Sequence, residues 1–229
     1  MPSAIHVPRV VVDNRPHLSD SSHDRRLAHH GYFYSWKRDE LLPYRGTLAF
    51  DFLVSTEANP EVLSIGKSRR PIHWWDGAKW CAQQARYAVT LCAGADGAAR
   101  LVEALVMTSV EKKKRSEDLR RLKIEARQQG RSFQVFTEKE IRVEPGLTNC
   151  KLILDRARRG AVPDEDLNLI RQVAYGTQTF SLNELVQIGV LPYARAYTAA
   201  LNMVASGELD IELDRVIDGD SRLGRACHE

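Results

Sequence analysis

Residues 99–136, ARLVEALVMTSVEKKKRSEDLRRLKIEARQQGRSFQVF, decide the fold of this chain. The run Ala99–Ser109 is rich in apolar and branched residues, which predicts a central strand. Ser116 can cap a following helix, and Gly130 is placed to end it. The apolar stripe of that helix is Leu119, Leu122 and Ala126. Phe133–Phe136 then predicts a second strand, so the stretch indicates strands and helices that alternate around one sheet.

The segments on either side extend this pattern. Asp76-Gly77 and Gly94–Gly97 are turn signals between apolar runs, so hairpins are predicted before the central strand. The stretch Tyr44–Glu57 fits either a strand or a helix by its apolar periodicity. Thr137–Ile141 predicts a turn, and Gly146–Arg159 predicts a helix. The expected fold class is α/β, a mixed sheet with flanking helices.

The chain after Gly160 predicts a different unit. Helices are expected from Pro163 to Ala174, from Thr179 to Gly189 and from Ala194 to Ala205. Ser181 can cap the second of these helices, with Glu184 at the capping-box position. Residues 209–217, LDIELDRVI, alternate between apolar and polar residues as a wing strand does. Three helices and a β wing are typical of a winged helix-turn-helix.

The charge is distributed unevenly along the 229 residues. The formal net charge of +3 is too small by itself to indicate a nucleic-acid partner. Residues 1–160 hold 28 basic and 19 acidic side chains, whereas the remaining residues hold 5 basic and 11 acidic. The first part can therefore attract phosphate, and the last part suits a basic protein surface. These patterns predict a mobile arm at 1–30, an α/β domain at 31–160 and a winged-helix domain at 161–229.

The composition also argues against several classes of protein. The N-terminus has proline and charges that interrupt its apolar run, which does not fit a signal peptide. No stretch approaches the roughly 20 apolar residues of a membrane-spanning helix. The four cysteines form no Cys-x-x-Cys pair, and the histidines of residues 1–30 lack a spacing that would converge on a metal. We therefore expect a cytoplasmic protein with no membrane partner.

The segment GYFYSWKRDELLPYRGTLAFDFL, residues 31–53, is similar to the signature that opens the TnsA-type endonuclease subunit of heteromeric transposases. The residues that fit are Gly31, Phe33, Ser35, Lys37, Pro43, Leu48, Asp51 and Leu53. Asn59–Val62 and Arg70-Pro71 fit the next steps of the family's pattern, and the winged-helix tail follows in its order. The resemblance implies a restriction-endonuclease-like core, in which a helix Glu, an Asp and a Glu-x-Lys gather around Mg²⁺.

The catalytic positions of that family are largely replaced in this chain. The helix Glu falls on Arg45, the second Glu on Ala49, the Asp on Thr90, and the Glu-x-Lys on Glu103 and Leu105. Only Glu103 retains an acidic side chain. An arginine about 4 Å from a divalent ion would cost roughly 8 kcal/mol at an effective dielectric constant of 20. The resemblance therefore predicts no intact catalytic site, no metal site and no cofactor.

A cleft without catalytic groups can still bind the DNA backbone. Each phosphate that a cation neutralises adds about −0.9 to the salt dependence of binding. The candidate cations are Lys37, Arg45, Lys112, Lys113, Lys114, Arg120, Arg121 and Arg195. The lysine run at 112–114 equally fits a solvated helix entrance. Trp74, Trp75 and Trp80 flank the Asp76-Gly77 turn, and they fit either alternate packing into the sheet or stacking on bases or a partner.

Three functions remain open at this level. The first is a TnsA-like, nuclease-inactive DNA-binding or scaffolding subunit of a transposition or other mobile-element complex. The second is an active Mg²⁺-dependent DNA endonuclease subunit that uses Glu103, or Asp96 with Glu111 in a shifted Glu-x-Lys alignment. The third is a winged-helix transcriptional regulator.

The partners follow from the same resemblance and from the charge of the tail. The wing carries four acids, whereas the candidate recognition helix carries one cation, Arg195. DNA is therefore expected on the basic domain, and transposase and ATPase subunits or other proteins on the acidic tail. A homodimer stays an open alternative.

Overall fold

The computed structural model describes residues 29–75, 77–92, 98–158, 161–189 and 191–226. The elements, in chain order, are β1 (His30–Ser35), β2 (Glu40–Arg45), α1 (Thr47–Ala58), β3 (Val62–Lys67), β4 (Pro71–Trp75), β5 (Trp80–Gln84), β6 (Tyr87–Leu91), β7 (Arg100–Val106), α2 (Ser109–Lys114), α3 (Ser116–Gln128), β8 (Ser132–Phe136), α4 (Glu138–Ile141), α5 (Gly146–Arg158), α6 (Asp164–Gly176), β9 (Thr179–Ser181), α7 (Leu182–Gln187), α8 (Tyr193–Ala205), β10 (Leu209–Ile211) and β11 (Arg222–Arg225). The arm expected at residues 1–30 lies outside the described residues except for His29 and His30. Within the described ranges, each helix falls short of the length or apolar character needed to cross a membrane.

The central sheet has four strands in the order β3-β6-β7-β8. The first three strands are antiparallel, and β8 lies parallel to β7. A parallel pair requires a long crossover connection, which α2 and α3 supply. The strand and helix expected within residues 99–136 are thus confirmed, as is the mixed sheet with flanking helices.

The two faces of this sheet are covered by different helices. Ala104 joins the main core with Phe52 of α1, and the rings of Phe52 and Tyr87 stack with centroids 5.5 Å apart. Leu105, the next residue of β7, joins a second core with Leu122 of α3. Because successive side chains of a strand point to opposite faces, α1 lies on one side of β7 and α3 on the other.

Helix α3 begins differently from the expectation. Ser116 is its first residue and Arg115 is the N-cap, without a capping hydrogen bond from the Arg115 side chain. The expected Ser116 cap is therefore wrong, because α2 runs directly into α3 and the cap is placed at the start of α2. There Thr108 and Glu111 form a reciprocal capping box. Gly130 follows the end of α3 with φ +68°, as its position predicted.

The ambiguous stretch Tyr44–Glu57 forms the end of β2 and most of α1. Gly46 makes the change of direction with φ +85°, a region that a residue with a Cβ atom rarely adopts. Helix α1 is buried on most of its surface, so its sequence lacks the one-sided apolar stripe of a surface helix. This burial explains why periodicity alone did not identify it.

The hairpin expected around Asp76-Gly77 is present. Strands β4 and β5 pair antiparallel from Pro71 opposite Gln84 to Trp75 opposite Trp80. They form a two-stranded sheet of their own that packs on α3. Asp76 itself, like the second turn signal Gly94–Gly97, lies outside the described residues.

After residue 160, the described residues form three helices and a three-stranded antiparallel sheet in the order β10-β11-β9. The capping box of Ser181 and Glu184 is confirmed. The helix expected from Thr179 begins at Leu182, because Thr179–Ser181 pair with β11. The strand expected over residues 209–217 covers only Leu209–Ile211.

That strand stops early because Asn149 of α5 binds the backbone of the residues that follow it. The Nδ2 atom of Asn149 donates to the backbone carbonyls of Leu213 and Arg215 at 3.0 and 2.6 Å. Its Oδ1 atom accepts from the backbone nitrogen of Ile217 at 3.3 Å. These bonds fix the β10–β11 loop on α5, which also packs against α1 and α8. One continuous apolar core therefore extends from the main sheet into the C-terminal part.

We predict that Asn149→Ala lowers the free energy of unfolding by about 2–4 kcal/mol, because three backbone groups lose their shared partner. Urea denaturation followed by circular dichroism measures this loss. Gln172→Ala, on the exposed face of α6, is the matched control and is expected to change stability by less than about 0.5 kcal/mol. Equal stability of the two variants would contradict the role of Asn149.

Candidate nucleic-acid interface

A cavity of about 380 Å³ opens at the edge of the main sheet, beside the hairpin β4–β5. The described residues that line it are Pro43, Lys67, Ser68, Gln83, Gln84, Ala85, Arg86 and Leu105. Lys67 and Arg86 are cationic, and none of these lining residues carries a carboxylate. The remaining polar groups bond within the protein: the Ser68 hydroxyl donates to Oε1 of Glu103 at 3.5 Å, and the amides of Gln83 and Gln84 donate to the carbonyl oxygens of Gln84 and Ser68. The two cations suit a phosphate group.

Arg45 lies next to this cavity. It is exposed at the end of β2, before α1 begins, so the helix position that the resemblance gave to Arg45 is wrong. Its carbonyl oxygen accepts a hydrogen bond from Nη1 of Arg86 at 3.1 Å. The structure therefore brings Arg45 close to two cations that the sequence analysis missed, Lys67 and Arg86. Lys67 ends β3 and pairs with Tyr87, the first residue of β6, so the pairing of β3 and β6 places these cations together.

Of the other positions taken from the resemblance, Ala49 is buried on α1, and Thr90, Glu103 and Leu105 lie on β6 and β7. Thr90 accepts a hydrogen bond from the Ser64 hydroxyl at 3.0 Å. Leu105 is buried in the core beneath α3 and also lines the cavity. Glu103 alternates with Ala104, which faces α1, so the Glu103 carboxylate lies on the opposite face of the sheet from α1. The geometry separates this acid from every acid of α1.

Arg131 compensates the charge of Glu103. Its Nη2 atom lies 2.6 Å from Oε1 of Glu103, which is 8% exposed. The same guanidinium donates to the backbone carbonyls of Arg70 and Pro71 at 2.7 and 3.0 Å. The pair therefore joins β7 to the start of β4. Among the described residues, no group of three His, Cys, Asp or Glu side chains is arranged to hold a metal ion.

The two buried acids of α1 are also bound by protein groups. Asp51 accepts from Nε of Arg142 at 2.8 Å and lies 3.0 Å from Nζ of Lys151. Glu57 accepts from the Ser35 hydroxyl at 2.7 Å and from the backbone nitrogen of Lys37 at 3.0 Å. An acidic residue within an apolar helical run is the sequence signal for a buried carboxylate, which needs polar or cationic partners. Both carboxylates stabilise the packing of α1.

Lys37 is placed inside the protein and away from the cavity. Its Nζ atom donates to the carbonyl oxygens of Asn59 and Val62, the latter at 2.6 Å. Burial lowers the pKa of the Lys37 ammonium to about 8, although the nearby charge of Glu57 acts in the opposite direction. The structure thus gives Lys37 a role in joining the β1–β2 hairpin to the start of β3.

The remaining candidate cations lie along α2 and α3. Lys113 and Lys114 are exposed, and Nζ of Lys112 lies 3.3 Å from Oε1 of Glu140. Arg120 and Arg121 both bind Glu117, and these hydrogen bonds, Arg120 first, lower the pKa of its carboxyl to about 2. Such exposed ion pairs contribute little to stability. These cations can therefore release their carboxylate partners and bind a phosphate group instead.

One hydrogen bond joins the basic helices α2 and α3 to the cavity. Arg115, between α2 and α3, donates from Nη2 to Oε1 of the cavity residue Gln83 at 3.0 Å. Glu111, the acid of the shifted Glu-x-Lys alignment, accepts from the backbone and hydroxyl of Thr108 as part of the α2 cap. Asp96, its expected companion, lies outside the described residues. The surface from the cavity to α3 is therefore a band of positive charge.

The three tryptophans of the hairpin β4–β5 divide between core and surface. Trp74 is 5% exposed and packs in the second core, whereas Trp75 and Trp80 are 49% and 70% exposed. The rings of Trp75 and Trp80 meet edge to face with centroids 5.8 Å apart. The alternate packing expected of the hairpin thus applies to Trp74, and the other two indoles form a surface pair.

Arg195 lies at the first turn of α8, in the acidic C-terminal part. Its Nε atom donates to Oδ2 of Asp166 at 2.9 Å, and its Nη2 atom binds the second carboxylate oxygen. Asp166 is buried at the N-terminus of α6, where an acid is also favoured by the helix dipole. The structure does not bring Arg195 together with the cations of α2 and α3 in any described contact.

No protein-family model matches this chain, and no curated protein matches it.

We predict that the contribution of Lys37 to the free energy of unfolding rises with pH. Below about pH 8 the ammonium is charged in both the folded and unfolded states, and the folded state bears the cost of burying it. Between about pH 8 and pH 10.5 the folded state releases the proton first, so the unfolded state binds more protons and folding is favoured. The wild-type protein should therefore gain roughly 1–3 kcal/mol relative to Lys37→Met across this range.

Guanidinium denaturation at pH 7, 8, 9 and 10 measures this difference, and Lys67→Met removes an exposed amine as the matched control. A difference between wild type and Lys37→Met that stays constant with pH would contradict the buried ammonium.

Proposed function

We propose that this chain is a TnsA-like DNA-binding subunit that does not cut DNA, and that it acts as a scaffold in a transposition or related mobile-element complex. The observation that carries the proposal is the composition of the cavity. Lys67 and Arg86 line it, Leu105 lies at the position of the family's lysine, and no carboxylate is present among its described residues. An anion is favoured there, whereas a divalent cation is not.

The ion pair between Glu103 and Arg131 supports the same proposal. This acid is the one family position that keeps its carboxylate, and Arg131 binds it directly. Arg131 holds Oε1 of Glu103, so a divalent ion on this carboxylate would lie close to a guanidinium that repels it. The pair is therefore better explained as a structural connection than as part of a nuclease site.

The order of elements supports a restriction-endonuclease-like core. A helix precedes three antiparallel strands, and a helical crossover leads to a fourth, parallel strand. This is the mixed α/β sheet that the resemblance led us to expect.

A band of positive charge supplies the DNA-binding surface in this proposal. Residues 108–131 hold nine basic and four acidic side chains. Arg115 connects this band to the cavity, so a DNA backbone can run from Lys67 and Arg86 onto α2 without crossing the acidic C-terminal part. Contacts of this kind fix the position of DNA without reading its sequence.

We assign the C-terminal part to protein docking, with a winged-helix fold as its architecture. Helix α6, strand β9, helices α7 and α8 and strands β10 and β11 follow the order expected of that fold. Helix α8 packs against α5, and Asn149 fixes the β10–β11 loop, so both candidate DNA-reading elements are partly occupied. The acidic surface that remains suits a basic face of a transposase or ATPase subunit.

The charge band predicts a specific salt dependence of DNA binding. Replacing Lys112, Lys113 and Lys114 together by Gln should weaken binding to a 30-base-pair duplex and reduce the slope of log affinity against log salt by up to about 2.7. Fluorescence anisotropy between 50 and 200 mM salt measures both quantities. The control Arg222→Gln with Arg225→Gln removes exposed cations from the C-terminal sheet. An unchanged slope in the lysine variant would contradict the proposed surface.

The absence of cutting is tested on supercoiled plasmid with Mg²⁺ or Mn²⁺. We predict that the wild-type protein produces no more nicked plasmid than Glu103→Gln, because Arg131 binds Glu103 and no group of three acidic, His or Cys ligands is formed by the residues that the structure describes. Nicking that is lost in Glu103→Gln and retained in Arg45→Ala would establish the nuclease and overturn the proposal.

A further inference from the structure

Two indoles stand exposed at the end of the hairpin β4–β5. Trp75 and Trp80 pair across the last position of the hairpin before its turn. They are 49% and 70% exposed, whereas Trp74, the residue before Trp75, is buried against α3. Exposed large aromatic surface is costly in water and is typical of a binding surface.

The hairpin is held firmly at its base. Ile72 and Trp74 pack into the second core, and Arg131 binds the carbonyl oxygens of Arg70 and Pro71. Arg115 binds Gln83 on the other strand. These contacts fix both strands, so the indole pair is presented from a rigid support and loses little freedom when it binds.

A cation of α3 lies beside the turn between the two indoles. The Nη1 atom of Arg121 lies 3.9 Å from the position that a Cβ atom on Gly77 would occupy, so the turn is beside α3. Further cations lie along α3, which packs on β4. Aromatic rings beside cations suit nucleotides, which carry a flat base and a phosphate. A cation beside the indoles argues against an apolar protein segment that lacks acidic residues as the occupant.

We propose that Trp80, supported by Trp75, stacks on an unpaired DNA base while the cavity and the basic helices hold the same strand by its phosphates. The inference rests on the proposed DNA-binding function and names its substrate class, DNA that contains a short single-stranded region. Inside a duplex both faces of a base are already stacked, so an indole gains a base only where pairing is interrupted. Trp80 is the main platform because it is the more exposed indole and the Trp75 ring contacts it edge to face.

The spacing along β5 gives the length of the unpaired region. Gln83, which lines the cavity, lies three residues from Trp80, a separation of roughly 10 Å at about 3.4 Å per residue. A DNA strand rises about 3.4 Å per nucleotide in a stacked form. A strand whose phosphate occupies the cavity therefore reaches Trp80 within about three nucleotides. A gap of four nucleotides is long enough to engage both.

The test compares an intact duplex with the same duplex carrying a central four-nucleotide gap, by fluorescence anisotropy on the full-length protein. We expect the gapped DNA to bind roughly 5- to 150-fold more tightly than the duplex, the range that one stacked base provides. Trp80→Ala should remove most of this preference and leave duplex binding unchanged, and Trp80→Phe should retain part of it. Tyr175→Ala, which removes an exposed aromatic ring from the C-terminal part, is the matched control.

The outcomes separate this inference from the proposed function. If neither DNA binds, the proposed function fails and the inference fails with it. If both DNAs bind equally, or if Trp80→Ala weakens both by the same factor, the stacking inference is overturned while DNA binding stands. A preference for gapped DNA that follows the aromatic ring at position 80 supports the inference.

Discussion

The ion pair between Glu103 and Arg131 is the interaction on which the rest of the described structure depends. A carboxylate buried between a sheet and a helix must be compensated, and removing one partner of such a pair costs about 3–5 kcal/mol. The same guanidinium binds two carbonyl oxygens at the start of β4, so one arginine joins the centre of the main sheet to the hairpin that carries the tryptophans. This contact therefore connects the main sheet with the hairpin beside the cavity.

This contact also determines the electrostatics of the cleft. Since Arg131 neutralises Glu103, the uncompensated charge near the cavity is that of Lys67 and Arg86, and the cleft attracts anions. The described cleft therefore has a charge that favours phosphate and opposes a divalent ion. In our account the scaffold, the DNA path and the lack of cutting have this one physical origin.

Much of the fold could be predicted from the sequence, because alternation and capping act locally. The central strand, the crossover helix with Gly130 after it and the Ser181 capping box were each identified from neighbouring residues. Helix α1 could not be identified, because it is buried on nearly all sides and shows no amphipathic stripe. The wing strand was overestimated, because Asn149, more than 60 residues earlier in the chain, takes the backbone groups that would extend it.

The candidate site was harder to predict for the same reason. Lys37 was expected at the surface, but it is drawn inside by carbonyl groups that sequence spacing does not reveal. Lys67 and Arg86 were missed because only strand pairing places them together. The most direct measurement is a crystal structure of the protein with gapped DNA and Mg²⁺. Our account predicts a backbone phosphate between Lys67 and Arg86 with Glu103 still bound to Arg131, whereas a Mg²⁺ ion on Glu103 with Arg131 displaced would contradict it.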